Sequence, residues 1–330
     1  MRARFPISDH CDGHHFFNPG GAGRKSRTLQ ALRWRLRSRR VPWVPPASDA
    51  GFAPPPDAAA PGTVAVSFIN HASFLIRFPG GVVLTDPIFS ERCSPVSWAG
   101  PRRARPPGIP LAALPRPDVV LLSHSHYDHM DLPSLRELQR RHAPRIVTML
   151  GNARRLGRLG LDALELDWWQ EITIGPLSIT ATPARHIAAR TPFDFNRSLW
   201  GGFMIRVAGG QVFFAGDSGA GPHWAEIHGR LGTPDVALLP MGAYEPRWFM
   251  APVHMNPAEA VQAHLDLGAR RSVGMHFGTF QLTEEAIDAP VLELAVARTA
   301  AGLDPQAFVT HGFGETRLYR LGDGSLMRSR

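Results

Sequence analysis

Lysine is all but missing from this chain. Of its 330 residues only Lys25 is a lysine, so the 36 basic residues are otherwise arginine, a bias that a GC-rich genome can produce without any functional demand. Cysteine is nearly as scarce. Cys11 and Cys93 are the only two, neither stands in a C-x-x-C pair, and two thiols cannot build a disulfide framework, which suits a reducing compartment. Apolar runs are short throughout, none near the ~20 residues that span a bilayer. The opening MRARFPISDHCDGHHFF also lacks the apolar core of a secretion signal. The expectation is a cytoplasmic protein with at most a peripheral hold on the inner membrane.

What is present suffices for a sizeable core: 44% hydrophobic content over this length suggests one main domain with an appendage. Charge is uneven. Residues 1–40 hold ten Lys and Arg against Asp9 and Asp12, a net +8 that equals the whole-chain excess of 36 over 28, so everything beyond residue 40 is balanced. Within this arm, residues 28–40 (TLQALRWRLRSRR) set Leu29, Leu32 and Leu36 at helical spacing among arginines and read as a short basic amphipathic helix. Such a helix can lie on an anionic membrane, or dock on the domain with its arginines solvated. Residues 44–62 (VPPASDAGFAPPPDAAAPG) form a Pro- and Ala-rich strap without periodicity. The arm is therefore placed at 1–62 and the folded catalytic domain at 63–330.

From Thr63 onward, short β-branched runs such as TVAVSFI, SFLIRF, DVVLLSH, GFMIRVAG, QVFFAGDSG and SVGMHFG alternate with turns. Helical stretches are expected at 132–142, 153–159, 257–267 and 284–300. Strands and helices interleave, with hairpins early and late, which predicts an α/β layered domain built on mixed sheets.

One stretch carries chemistry. After the buried-strand run DVVLL comes SHSHYDHMD, which puts His124, His126, Asp128 and His129 within six positions. Imidazole and carboxylate are costly to bury uncompensated, so such a cluster at a strand end calls for solvent or a cation. In extended chain His124 and His126 point the same way, while Asp128 and His129 lie where the chain is free to turn, so the four can face one pocket from two directions. Zinc accepts this donor set, as do manganese and ferrous iron. Three more polar residues close apolar runs in the same manner: His186 after LSITATPAR, Asp217 after QVFFAG and His276 after RSVGM. Each alone is weak evidence, but together they make seven ligands, about what two metals 3.5–4 Å apart require.

In this order, HxHxDH followed by His, Asp and His, the chain resembles the metallo-β-lactamase fold, an αββα sandwich of two mixed sheets flanked by helices with two metals at one edge. It is more specifically similar to the family of N-acyl-phosphatidylethanolamine-hydrolysing phospholipases D. The similarity rests on FFNP (16–19), LTDPIFSERCSP (84–95), LLSHSHYDHMD (121–131), LDWW (166–169), RSLWGGF (197–203), FFAGDSG (213–219), LPMGAYEPRWFM (239–250) and MHFGTFQL (275–282). The resemblance implies two zinc ions, one on His124, His126 and His186, the other on Asp128, His129 and His276, with Asp217 shared. It implies phosphodiester hydrolysis of phospholipase D type through a metal-bridging hydroxide, yielding phosphatidic acid and an N-acylethanolamine. Asp128 would help orient the hydroxide, and His254 in APVHMNP matches a family histidine near the substrate, as proton donor or hydrogen-bond partner. Tyr244, Arg247, Trp248 and Phe249 would contact the lipid. Arg247 can equally pair with Glu245, and Trp248 and Phe249 can equally be core.

The expected partners are a phospholipid substrate, a membrane met peripherally and a second copy of the chain in a homodimer. Nucleic acid is not expected, since charge is balanced beyond the arm. A lactonase, or a hydrolase of cyclic or small phosphodiesters, would use the same ligands on a polar pocket. A closed structural zinc site would need only four ligands per ion.

Overall fold

Val119, Val120, Leu121 and Leu122 are all fully buried, and their side chains divide by parity. Val119 and Leu121 join the large core that also holds Val66, Phe68, Ile76, Ile205 and Phe213, whereas Val120 and Leu122 join a second core with Leu75, Leu84, Leu135 and Leu138. A strand buried on both faces needs a layer on each side, which is why this run is continuous and not alternating. The computed structural model describes residues 4–20, 28–38, 40–44 and 59–327.

The first sheet contains β1 (Thr63–Asn70), β2 (Ser73–Phe78), β3 (Gly81–Thr85), β4 (Val119–Leu122), β5 (Arg145–Met149), β6 (Ala163–Leu166) and β14 (Thr316–Arg320), in the order β14-β1-β2-β3-β4-β5-β6. The second contains β7 (Glu171–Ile174), β8 (Leu177–Thr182), β9 (Gly202–Val207), β10 (Gly210–Phe214), β11 (Val236–Pro240), β12 (Arg271–Met275) and β13 (Phe308–Val309), in the order β13-β12-β11-β10-β9-β8-β7. In both, an antiparallel meander passes into parallel strands: β3 to β6 in the first and β10 to β13 in the second. The large core lies between the sheets. Helices α2 (Leu132–His142), α3 (Ala153–Gly157), α4 (His223–Leu231), α5 (Arg247–Met250), α6 (Pro257–Asp266) and α7 (Ala289–Ala300) complete the αββα sandwich expected from the sequence. No described helix is long and apolar enough to cross a membrane.

Some elements differ from expectation. The last helix begins at Ala289, five residues later than the expected 284. Pro290 sits in its first turn, where a missing N–H costs nothing, while Glu285 upstream is committed to the backbone N–H groups of Ala243 and Glu245. β6, β7, β13 and β14 were not expected, being short or half-exposed, and neither were α4 and α5. The arm is only partly an appendage. Cys11 and Phe16 lie in the inter-sheet core, and α1 (Thr28–Arg37) lies against the domain. There the Trp34 indole donates to Glu284 at 2.6 Å and its ring stacks on Phe249 at 5.3 Å. Of the strap expected at 44–62, residues 45–58 lie outside the described residues.

Strand direction sets up the site. β1, β3, β4, β8, β10 and β12 all end at one edge of the sandwich, where the chain continues into His71, Asp86, residues 123–131, His186, Asp217 and His276. In layered α/β sheets such carboxyl ends are where ligands bind.

Candidate metal centre

Backbone strain marks this edge. His71, Asp86, Ala243 and His276 all have φ between 31° and 66°, a region that non-glycine residues rarely occupy, and each follows directly or closely on a strand. Gly242 is required beside them, since a Cβ there would stand 2.0 Å from the His276 carbonyl oxygen.

The seven expected ligands converge. His124 Nε2 and His126 Nδ1 lie 2.9 Å apart, and His186 Nε2 is 3.2 Å from the same His126 Nδ1. On the other side, His129 Nε2 and His276 Nε2 each stand 3.4 Å from Asp128 Oδ2. Asp217 stands between the groups: its Oδ2 is 3.1 Å from His129 Nε2 and from His276 Nε2, 3.9 Å from His124 Nε2 and 3.8 Å from His186 Nε2. His129 and His186 are aimed from behind. His129 Nδ1 is 2.7 Å from Asp86, which also accepts from the Ser123 backbone and hydroxyl; His186 Nδ1 donates to the Val253 carbonyl at 2.9 Å. Such partners fix tautomer and orientation in metal-ligating histidines.

Electrostatics test whether these residues fit a cation. Burial pushes His124 well below the usual histidine range, takes His126 to about 3 and lowers His186, each with neighbouring imidazoles adding to the effect, so all three present neutral nitrogens. Burial alone would lower His129 and His276 too. There the carboxylates win: Asp217, Asp128 and Asp86 hold His129 well above its ordinary value, and Asp217 and Asp128 take His276 to about 9. Asp128 and Asp217 stay far below the usual carboxylate range in spite of burial, because these imidazoles face them. In the protein alone, two buried carboxylates are thus balanced by two protons. The Nε2 atoms of His129 and His276 and Asp217 Oδ1 are nevertheless buried without a well-formed hydrogen bond. Divalent cations would neutralise the same carboxylates and satisfy the same nitrogens, so the donor set fits metal.

His254 lies against the ligands, its ring 5.0 Å from His186 and 5.3 Å from His276, with Nδ1 unpartnered. Burial keeps it neutral. Capping of α6 belongs instead to Asn256 and Glu259, which form a reciprocal capping box. Among the expected substrate contacts, Arg247 is otherwise engaged. Its guanidinium pairs with Glu259 at 2.6 Å and donates to the Tyr244 and His254 carbonyls, while its backbone N–H donates to Glu245. Tyr244 is buried. Phe249 is half-buried between Trp34 and Trp248; Trp248 is 55% exposed and lines a groove of about 450 Å³ with Arg33, Arg37 and Pro246. A second groove, about 530 Å³, opens beside Tyr127 of the HxHxDH loop and is walled by Arg92, Arg136, Arg155 and Arg190.

Sequence reasoning passed over His71, Asp86 and Asn18. His71 Nε2 is 2.9 Å from Asp128 Oδ2, and Asn18 clamps the His186 backbone through both its N–H and its carbonyl. The first two close apolar runs, TVAVSFIN and GVVLT, by the same rule that found His186, Asp217 and His276.

Comparison with known proteins agrees with this geometry. A family model described as a beta-lactamase superfamily domain matches residues 82–277. An uncharacterized protein of Mycobacterium tuberculosis is 35% identical over 275 residues, 82% of this chain and 73% of its own. The N-acyl-phosphatidylethanolamine-hydrolyzing phospholipase D 1 of Caenorhabditis elegans is 35% identical over 266 residues, 76% of this chain and 74% of its own. Among solved structures, a metallo hydrolase from Ignicoccus hospitalis aligns with a TM-score of 0.60 at 23% identity, covering 78% of this chain and 99% of that one.

Proposed function

The chain belongs to the beta-lactamase superfamily, as a metal-dependent hydrolase whose homologues include N-acyl-phosphatidylethanolamine-hydrolysing phospholipases D, and from that premise we propose that it cleaves phospholipids of this kind to phosphatidic acid and an N-acylethanolamine, using two zinc ions. The observation that carries the reading is Asp217 Oδ2, within 3.9 Å of four imidazole nitrogens drawn from both groups of ligands. His124, His126 and His186 would hold one ion, Asp128, His129 and His276 the other, with Asp217 shared. Two cations so held supply a water of lowered pKa and neutralise charge that develops on the phosphoryl oxygens.

The protein's own groups do the rest. Asp128, fixed by His71, is placed to accept a hydrogen bond from the attacking water. Attack at phosphorus with the leaving oxygen opposite breaks the bond on the head-group side. His254 would serve that step as a hydrogen-bond donor to a phosphoryl or leaving oxygen, and the departing alkoxide takes up the proton that the attacking water gives up. Trp248 and Trp34 would supply apolar surface at the groove beside α1, with Phe249 packed against both rings.

The groove at Tyr127, with four arginines against Glu91 and Asp131, favours a second reading, a small anionic phosphodiester as substrate. One experiment separates them. Purified protein, stripped by chelation and reloaded with zinc, manganese or iron, is offered N-acyl-phosphatidylethanolamine, a lactone and bis(p-nitrophenyl) phosphate. Metal-dependent release of N-acylethanolamine is expected; turnover confined to the soluble substrates would overturn the lipid reading.

A further inference from the structure

Charge beyond residue 40 is balanced in sequence, yet the fold does not keep it balanced in space. Around a surface hollow of about 320 Å³ it gathers Arg154, Arg155, Arg158 and Arg197, joined by Arg4 of the arm, against Asp194 alone, five positive charges to one negative. Arg155 pairs with Asp194. Arg154, Arg158 and Arg197 are exposed and make no ion pair among the described residues. At the same hollow stands Phe193, 84% exposed, an aromatic ring held in water.

The ring is presented by an ordered loop. Asp194 accepts from the backbone N–H groups of Arg190 and Thr191, and the Arg190 guanidinium donates to the carbonyls of Ser125, His126 and Met130 while covering the Tyr127 ring at 3.8 Å. The patch is therefore tied directly to the metal-ligand loop. Arg155 is a wall of both this hollow and the groove that opens beside Tyr127, where Arg92, Arg136 and Arg190 stand with Glu91 and Asp131, so the hollow and the groove adjoin beside the metal-ligand loop. Trp98, 79% exposed, follows Ser97 on that groove's rim and gives the surface a second aromatic anchor.

We propose that this face, Phe193 with Arg154, Arg158 and Arg197, docks the protein on an anionic phospholipid surface. Arginines without acidic partners complement anionic head groups, and an exposed aromatic ring gains most by settling at the boundary of head group and acyl chain. Docking there would bring the metal-ligand loop that carries Tyr127 toward the lipid surface. The proposal draws on the phospholipid reading only for the reason a membrane is met, and binding is measured without turnover.

The test is flotation of the metal-loaded full chain with vesicles of phosphatidylcholine alone or mixed equally with phosphatidylglycerol. Binding to the mixed vesicles only is expected. The triple variant Arg154→Gln, Arg158→Gln, Arg197→Gln should bind about 100-fold more weakly, at about 5-fold per charge. Phe193→Ser should weaken binding by several-fold even at low salt. Both variants should keep wild-type metal content and hydrolyse bis(p-nitrophenyl) phosphate, if the wild type does, at an unchanged rate. No vesicle binding by the wild type would overturn the proposal. So would full binding by the triple variant with loss on Arg33→Gln, Arg37→Gln, Arg40→Gln, which would assign the contact to α1. Preference for a single-stranded oligonucleotide that displaces the vesicles would overturn it in favour of a nucleic-acid partner.

Discussion

His71 Nε2 lies 2.9 Å from Asp128 Oδ2, a bond made by a histidine outside the seven-ligand set. Burial, with the charge of His276 nearby, pushes His71 down to about 3, so its ring is neutral and its Nε2–H faces the carboxylate. His71 therefore fixes which way Asp128 points. His71→Ala is expected to lower metal affinity or turnover by about 10–100-fold, the usual cost of removing a ligand's orienting partner. Metal titration alongside steady-state rates checks this. Wild-type values in both would show that Asp128 holds its place unaided.

Asp217 Oδ2 lies within 3.9 Å of His124, His129, His186 and His276, with His129 and His276 at 3.1 Å. Asp217→Ala should bind less than one metal ion per chain and lose nearly all activity, because it removes the shared ligand and the carboxylate that acts most strongly on the buried His129 and His276. Elemental analysis of metal-replete protein decides the matter; two ions retained per chain would remove Asp217 from the shared position.

Arg247 is held by several partners inside the fold. Breaking its pair with Glu259 and its bonds to the Tyr244 and His254 carbonyls, in Arg247→Ala, should cost about 1–2 kcal/mol of stability, discounted because both side chains are part-exposed. KM should change little. A raised KM with an unchanged melting temperature would return Arg247 to the substrate site.

Buried histidines outside the ligand set impose an acid limit. His223 and His311 are held to about 3 and His264 to about 4, first by burial and then by arginines nearby. Each has its folded pKa depressed below the unfolded value of 6.5, so the unfolded chain binds more protons as pH falls. Their contribution is present above about 6.5 and is lost on acidification toward 4, by about 1.4 kcal/mol per pH unit per group. Denaturant melts from pH 7 to 5 should show this slope, and His311→Gln should flatten it by roughly one proton. An unchanged slope would mean that His311 already titrates normally in the fold.

Much of this was legible in the sequence because strand ends are. An apolar run followed by a histidine or aspartate announces where a buried strand meets the rim, and that pattern placed His124, His126, His129, His186, Asp217 and His276 on one edge. The same pattern held for His71 and Asp86. They were passed over because a lone polar residue at a turn is usually only a turn residue, and nothing local reveals that φ is positive there or that a ligand lies behind. Asn18 was less visible still: it meets His186 across 168 residues, which no spacing encodes. The arginine face was hidden for the same reason, since a balanced count says nothing of where folding puts the charges. Short half-exposed strands such as β6 and β7 carry little periodic signal, and the Glu284 to Asp288 stretch looks helical until the commitment of Glu285 to Ala243 is seen.

The bond that breaks identifies the chemistry most directly. If water ordered by this cluster attacks phosphorus, solvent oxygen must enter the phosphate and the alcohol must keep its own. Hydrolysis of N-acyl-phosphatidylethanolamine by the zinc-loaded protein in ¹⁸O-water, read by mass spectrometry, should place one label in phosphatidic acid and none in the N-acylethanolamine. Label in the N-acylethanolamine, or no lipid product under conditions where the metal sites are full, would contradict the account.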